Sequence, residues 1–116
     1  MNIVYIEDNA QDRKLVERYI KTTPHNLTAV SCLEDLDLST LSADLILIDI
    51  LIDDKALGLQ YIEEIRSKGI ECPAIAVTAL VLPHHLAAYE DAGLDGVIEK
   101  PFDISTLAEV IAAHTP

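Results

Sequence analysis

Cysteine and long hydrophobic runs are both scarce in this chain of 116 residues. Its two cysteines, Cys32 and Cys72, form no C-x-x-C pair and are too few for a disulfide framework, which favours free thiols and a reducing compartment. The longest apolar run, from Ala74 to Leu82, is far shorter than the roughly 18 residues of a membrane span. The first residues also lack the basic stretch of a secretory signal. We therefore expect a cytoplasmic protein without a membrane partner.

Basic residues are few as well: 8 Lys and Arg stand against 20 Asp and Glu, which gives a formal net charge of −12. Such a chain repels the phosphate backbone of nucleic acids and cannot release its counterions, so we expect no direct nucleic-acid binding and favour a protein partner. Because 50% of the residues are hydrophobic, a chain of this length can bury a core without disulfides or a structural metal. We expect one domain over residues 1–116, with no output domain in this chain.

Short apolar runs alternate with helical patterns along the chain. Four strong runs and a weaker one are typical of strands: residues 3–6, 45–48, 74–77 and 96–98, with 27–30 as the weaker one. Helix signals lie between them, since Ser31 and Glu34 indicate a capping box, Asp103 an N-cap and Gly93 a helix end. This alternation predicts an α/β, doubly wound five-stranded parallel sheet made of five β-α units. We expect the flavodoxin-like strand order 2-1-3-4-5.

Polar residues follow the strong strands directly. Glu7 and Asp8 come after the first strand, Asp49 after the third, Thr78 after the fourth and Lys100 after the fifth. In doubly wound sheets, ligands gather at the carboxyl ends of the strands, beside the point where the strand order reverses. Each residue alone has an ordinary explanation, such as a helix cap or a solvated amine. Together, three acids, a hydroxyl and an amine are expected to converge on one place.

A hard divalent cation would relieve the repulsion among three clustered carboxylates. Mg²⁺ fits this environment, because it prefers one or two carboxylates together with waters and a phosphoryl oxygen. The charges of three carboxylates, one Mg²⁺ and the Lys100 ammonium ion cancel, so an incoming phosphoryl group would meet a nearly neutral cage. Positioning and electrostatics are most of what phosphoryl transfer requires. Asp49 is the acid best placed as the nucleophile.

Four motifs stand at these strand ends: Glu7-Asp8-Asn9, Asp49, Thr78-Ala79 and Lys100-Pro101-Phe102. Together they resemble, across the whole chain, the signature of the response-regulator receiver domain of two-component signalling. The resemblance implies that Asp49 takes a phosphoryl group from a phosphohistidine on a sensor histidine kinase or a histidine phosphotransfer protein. It also implies signalling through protein–protein interaction. Self-phosphorylation and slow autodephosphorylation would be the only chemistry, so we do not expect an enzyme.

The resemblance also implies roles for single residues. Mg²⁺ would be held by three carboxylates and one backbone carbonyl, those of Glu7, Asp8, Asp49 and Leu51 respectively. Thr78 would hydrogen-bond the phosphoryl group, and Lys100 would pair with it, aimed into the site by a cis peptide bond to Pro101. Ala79 is small, as expected where a phosphodonor must enter.

Two departures from the family pattern affect these expectations. Val97 occupies the position of a Tyr or Phe that usually swings inward when the threonine moves, which puts the usual coupling of Thr78 to the outer surface in doubt. The loop after the acceptor has Asp53 where proline is usual, and its glycine, Gly58, comes one position late. We expect an altered loop with Asp53 and Asp54 in solvent, and the alternative is that they add metal ligands.

Two residues near the expected phosphoryl group bear on its lifetime. Leu51 lies two positions after Asp49, and Leu80 lies two positions after Thr78. Both side chains are bulky and apolar. We expect them to position no attacking water and to shield the acyl phosphate partly, so that spontaneous hydrolysis is slow.

The first helix concentrates positive charge in an acidic chain. Lys14, Arg18 and Lys21 share one face, which could steer an acidic phosphodonor, because receivers commonly dock their donors on this helix; the alternative is a solvated face. A homodimer is also possible. Receivers often pair through the fourth and fifth helices, and that region carries apolar residues: Leu86, Tyr89, Val97 and Ile104.

Two other functions stay open on the sequence. A small aspartate-nucleophile phosphohydrolase would share Asp49, Thr78 and Lys100, but such enzymes typically place a second Asp two residues after the nucleophile, where this chain has Leu51. The second alternative is a receiver-like scaffold that is no longer controlled by phosphate. Val97 and the unusual loop suggest it.

Overall fold

Strands and helices alternate over all of residues 1–116, which the computed structural model describes. The strands are β1 (Asn2–Ile6), β2 (Asn26–Val30), β3 (Leu45–Ile48), β4 (Ala74–Thr78) and β5 (Gly96–Glu99). The helices are α1 (Ala10–Ile20), α2 (Leu57–Ser67), α3 (Pro83–Ala92) and α4 (Ile104–His114). All strand pairs are parallel, in the order β2-β1-β3-β4-β5, which confirms the predicted sheet and its strand order. None of the helices combines the length and apolarity that crossing a bilayer requires.

Helices cover both faces of the sheet, which explains the uninterrupted apolar runs of its central strands. Successive residues of a strand point to opposite faces. Val4 and Ile46 pack on one side with α2 and α3, whereas Ile3 and Leu47 pack on the other with α1 and α4. Both sets are almost fully buried. Burying each such side chain contributes about 1.5–3 kcal/mol, so the two-sided core firmly fixes where β1 and β3 end.

The segment after β2 differs from the prediction. Instead of an α-helix it forms a single 3-10 turn, Leu33–Asp35, and the expected capping box of Ser31 and Glu34 does not form, since Cys32 precedes the turn without a side-chain cap. The side chain of Asp37 accepts hydrogen bonds from both the backbone N–H (3.0 Å) and the hydroxyl (2.6 Å) of Ser39. Such local bonds compete with helix formation, so the fold has four α-helices rather than five.

Two other helix signals act as the sequence predicts. The Asp103 side chain caps α4 by accepting a hydrogen bond from the backbone N–H of Thr106 at 2.9 Å. Gly93 ends α3 with a φ of 106°, a left-handed conformation that favours glycine. These ends leave the connections after β1, β3, β4 and β5 at one edge of the sheet.

Candidate functional site

The register of the sheet brings the polar strand ends to one level. Ile6 pairs with Ile48, so Glu7 and Asp49 follow adjacent strands side by side. Thr78 is the last residue of β4, which lies next to β3. Glu7, Asp49 and Thr78 are also the three buried polar or charged residues of the whole chain. Because burying polar groups costs free energy unless they are paired, their collection at one edge marks this edge as the functional one.

Three carboxylates form the centre of the site. One oxygen each from Glu7, Asp8 and Asp49 lies within 4.8 Å of the others. Asp49 also accepts a hydrogen bond from the backbone N–H of Leu51 at 3.2 Å, and Asp8 accepts one from the backbone N–H of Asp53 at 3.0 Å. Three hard oxygen donors at this spacing suit Mg²⁺, which binds carboxylates and keeps further positions for water or phosphoryl oxygen.

Lys100 supplies the positive charge of the site. Its peptide bond to Pro101 is cis. Its ammonium group donates hydrogen bonds to Glu7, to Asp12 at 3.1 Å and to Asp49 at 3.3 Å. Burial opposes the charge on Lys100, but these three carboxylates outweigh that effect and raise its pKa. The ammonium ion is therefore a firmly charged partner for anions at the site.

Glu7 is the most enclosed acid, with a side chain that has no exposed surface. Burial, together with the neighbouring Asp49 carboxylate, raises the pKa of Glu7 to about 8, although Lys100 opposes the shift. The hydroxyl of Tyr5 donates a hydrogen bond to Glu7 at 3.0 Å. Burial and the neighbouring Glu7 raise the pKa of Tyr5, so its hydroxyl stays a donor. One lysine does not balance the surrounding acids, which is the imbalance that a divalent cation would remove.

A second, uncharged arrangement surrounds Thr78. Its hydroxyl oxygen accepts a hydrogen bond from the backbone N–H of Leu80 at 3.2 Å, and the backbone carbonyl of Leu80 accepts one from the hydroxyl of Tyr89 at 2.6 Å. Ala79 between them is exposed. The Leu80 peptide groups thus connect the threonine of β4 to an aromatic side chain of α3.

Gly58 explains how α2 can begin beside the acid cluster. Its backbone N–H donates to the carbonyl of Ile50 at 3.0 Å. A Cβ atom at position 58 would lie 2.2 Å from the carbonyl oxygen of Asp49, which leaves no room for any side chain. The preceding loop turns through Asp53 and Asp54, which are exposed and have positive φ angles of 53° and 58°. The late glycine therefore belongs to an altered loop that still packs against Asp49.

Two contributors to the site were not expected from the sequence. Asp12 lies in the first turn of α1, where an acidic residue ordinarily needs no explanation beyond the helix dipole. Tyr89 was expected only as an apolar residue of a possible dimer face, but it is 2% exposed and points into the core, so that expectation was wrong. Val97, at the position of the usual aromatic residue, is half-buried against the same core.

One positive residue of α1 contacts the site, since the Arg13 side chain donates a hydrogen bond to the backbone carbonyl of Glu7 at 2.6 Å. The other three positive residues on α1 or at its end lie apart from these groups. Lys14, Arg18 and Lys21 are all exposed. They form a solvent-facing stripe on the helix that also carries Asp12 toward the site.

Comparison with known proteins identifies the family. Residues 3–112 match the model of the response regulator receiver domain, and the chain belongs to that family. Domains of this family serve two-component signalling as phosphoacceptors rather than as enzymes in general. They bind Mg²⁺ at an acidic pocket and interact with histidine kinases or phosphotransfer proteins.

Curated relatives are longer than this chain. The swarming motility regulation protein RssB of Serratia marcescens is 31% identical over 115 residues, which cover 97% of this chain and 52% of that protein. The transcriptional regulatory protein DltR of Streptococcus agalactiae is 33% identical over 72 residues, which cover 62% of this chain and 32% of that protein. The chain thus spans about half the length of one relative and a third of the other.

Solved structures share the fold at low sequence identity. A two-component response regulator from Clostridium difficile superposes with a TM-score of 0.89 at 17% identity, over 98% of this chain and 94% of that one. The chemotaxis response regulator CheY4 of Vibrio cholerae gives a TM-score of 0.86 at 16% identity, over 98% of each chain. These likenesses establish the receiver fold.

Proposed function

We propose that this chain accepts a phosphoryl group on Asp49 from a phosphohistidine of a sensor histidine kinase or histidine phosphotransfer protein, in a reaction that requires Mg²⁺. The observation that carries the proposal is the contact of Asp49 with Lys100 at 3.3 Å, beside two further carboxylates whose oxygens approach within 4.8 Å. A nucleophilic carboxylate thus has an ammonium ion and a suitable metal-binding group at the same point.

Each residue has a defined part in the transfer. A carboxylate oxygen of Asp49 attacks phosphorus while the bond from phosphorus to the donor's imidazole nitrogen breaks, and the electron pair leaves with the imidazole. As negative charge passes from Asp49 to the phosphoryl oxygens, Lys100 exchanges its hydrogen bond to Asp49 for one to a phosphoryl oxygen. Thr78 accepts a hydrogen bond from Leu80, which leaves its own proton available to donate to the phosphoryl group.

The metal ion would be held by Glu7, Asp8, Asp49 and the backbone carbonyl of Leu51. When bound, it supplies positive charge that screens the carboxylates and neutralises charge on the phosphoryl group. Glu7 is oriented for this role by the hydroxyl of Tyr5. The exposed position of Ala79 leaves the donor a path to Asp49.

The docking partners belong to the same proposal. The exposed stripe of Lys14 and Arg18 would raise the encounter rate with an acidic phosphodonor, and a rate of transfer that does not fall with added salt would contradict this steering. Output passes to another protein or through a homodimer. For a homodimer, Leu86 is the large exposed apolar residue on α3, with half-buried Ile104 on α4.

Incubation with Mg²⁺ and acetyl phosphate, followed by intact-mass measurement, tests the proposal. We expect one added phosphoryl group, about 80 Da, that is lost in Asp49→Asn and kept in the matched control Asp54→Asn, an exposed acid of the following loop. Omission of Mg²⁺ should prevent the reaction. Rapid multiple turnover would instead indicate an aspartate-nucleophile phosphohydrolase, and absence of any adduct would indicate a scaffold that does not use phosphate.

A further inference from the structure

The hydrogen bonds of Lys100 are fully used before any phosphoryl group arrives. A lysine ammonium ion has three N–H donors. Here they point to three different carboxylates, those of Glu7, Asp12 and Asp49. For Lys100 to pair with a phosphoryl oxygen, at least one of these hydrogen bonds must break.

The three acceptors differ in how easily they can release the ammonium ion. Glu7 has no exposed surface, so it would lose its ionic partner without gaining water. Asp49 is nearly as buried, and its charge is the one that the phosphoryl group replaces. Asp12 is the exception, because its side chain is 33% exposed and can be hydrated when it releases Lys100. A free phosphate-like anion leaves the charge of Asp49 in place, so for such an anion the hydrogen bond between Asp12 and Lys100 is the one that opens at the least cost.

Asp12 also changes the charge that an anion meets. Its carboxylate is outside the group of three whose oxygens converge for a metal ion. With Asp12 included, four carboxylates face one ammonium ion and one divalent cation, which leaves a net negative charge instead of a balanced cage. Asp12 lies in the first turn of α1, where the helix dipole favours negative charge.

We propose that Asp12 is a positioning residue that holds the Lys100 ammonium ion toward α1 and so weakens the capture of free phosphate-like anions at the site. The inference rests on the proposed function, because it assigns Asp12 a part in the pairing of Lys100 with phosphoryl oxygens. Small phosphoanions in solution must pull Lys100 away from Asp12. The chain is thereby biased against chance occupancy by such anions.

Binding of inorganic phosphate in the presence of Mg²⁺ tests the inference directly. The dissociation constant is measured from the NMR shifts of the Thr78 and Ala79 amides as phosphate is added. Asp12→Asn keeps the shape of the side chain but removes its charge. We expect it to lower the dissociation constant for phosphate about three- to fivefold, the size of effect that a partly exposed ion pair supports. Asp12→Glu keeps the charge and should bind phosphate like the unmodified chain.

Glu17→Gln is the matched control, because Glu17 also lies on α1 and its replacement changes the net charge equally without touching a Lys100 partner. It should leave the dissociation constant unchanged. Equal tightening in Glu17→Gln and Asp12→Asn would overturn the inference in favour of general charge repulsion. An unchanged constant in Asp12→Asn, or no phosphate binding by any variant, would overturn it as well.

Phosphorylation by acetyl phosphate, measured in parallel on the same variants, separates this inference from the proposed function. Tighter phosphate binding by Asp12→Asn supports the role of Asp12 even if Asp49 gains no phosphoryl group. The failure of Asp49 to gain a phosphoryl group would contradict the proposed function but not the role of Asp12. When phosphate binding and phosphorylation are both observed, Asp12→Asn should lower the KM for acetyl phosphate by about the same factor as the dissociation constant for phosphate. A fall in maximal rate at unchanged KM would instead contradict the proposed positioning.

Discussion

The site has two halves that are built from different interactions. The charged half consists of Glu7, Asp8, Asp12, Asp49 and Lys100, and it joins β1, α1, β3 and β5 through ionic hydrogen bonds. The neutral half consists of Thr78, Leu80 and Tyr89, and its hydrogen bonds stay within the β4–α3 region.

The two halves differ in how easily their hydrogen bonds can be exchanged. Bonds between buried ions are costly to break one at a time, because a partner is left without compensation. A neutral hydrogen bond has a net worth of about 0.5–1.5 kcal/mol and can be exchanged for another. In the proposed function, the charged half is therefore suited to fixing a cation and a nucleophile in place, and the neutral half is suited to rearranging when Thr78 donates to a phosphoryl group.

Removing Lys100 should show the largest contrast between the halves. Lys100→Met keeps the length of the side chain but leaves three carboxylates without their shared cation. Loss of one partner from a buried pair costs about 3–5 kcal/mol, and the partial exposure of Lys100 favours the lower end of this range. Urea unfolding without divalent cations measures the loss, with exposed Lys14→Met as the control.

Added Mg²⁺ should recover more stability in Lys100→Met than in the unmodified chain, because the cation replaces the missing positive charge. A loss below about 1 kcal/mol in Lys100→Met would mean that the charged half is no more tightly coupled than a surface ion pair.

Substitutions at two apolar positions, one in each half, should change the lifetime of the phosphorylated chain. Leu51 follows Asp49 and is 37% exposed, whereas Leu80 is half-buried in the neutral half. Leu51→Asn and Leu80→Glu would each introduce a group that can position a water molecule near the acyl phosphate. We expect decay about tenfold faster in each variant, equivalent to a barrier lower by about 1.4 kcal/mol.

Intact mass, followed over time after removal of acetyl phosphate, measures this decay. Replacement of either leucine with Met provides the apolar control and should leave the lifetime close to that of the unmodified chain. Unchanged or slower decay in the polar variants would show that these side chains do not protect the phosphoryl group.

Tyr89→Phe should have the smallest effect on stability. It removes the donor to the Leu80 carbonyl and keeps the aromatic ring in the core, so the expected loss is about 0.5–1.5 kcal/mol. Urea unfolding measures this loss, with Tyr19→Phe as the control on a half-buried position of α1. A loss as large as that of Lys100→Met would remove the distinction between the two halves.

The sequence predicts the sheet, and the meeting of its polar strand ends, because both depend on simple local patterns. Continuous apolar runs mark strands buried on two faces, and parallel strands bring their carboxyl ends to one edge. The same reasoning fails for the segment after β2. There the residues Ser31 and Glu34 match a capping box, but the hydrogen bonds to Asp37 form a local turn instead. The segment also lacks a long amphipathic stretch that would stabilise a helix.

The roles of Asp12 and Tyr89 could not be predicted from the sequence. In both cases a more ordinary explanation accounts for the residue at that position. Asp12 meets a lysine 88 positions away, and an acid in a first helical turn is common without any such partner. Tyr89 falls at an apolar position of α3, where its ring accounts for the pattern and its hydroxyl bond to Leu80 stays hidden. When a side chain has two roles, the sequence pattern thus predicts only the more common one.

Gly58 has a consequence for how this site can diversify. Its Cα hydrogen faces the carbonyl of Asp49 so closely that even alanine would force the backbone apart. Position 58 is therefore linked to Asp49 by contact between the two main chains and not by any side-chain chemistry. Neighbouring loops can lengthen, shorten or change sequence, but each workable version must bring a residue without a side chain to that spot.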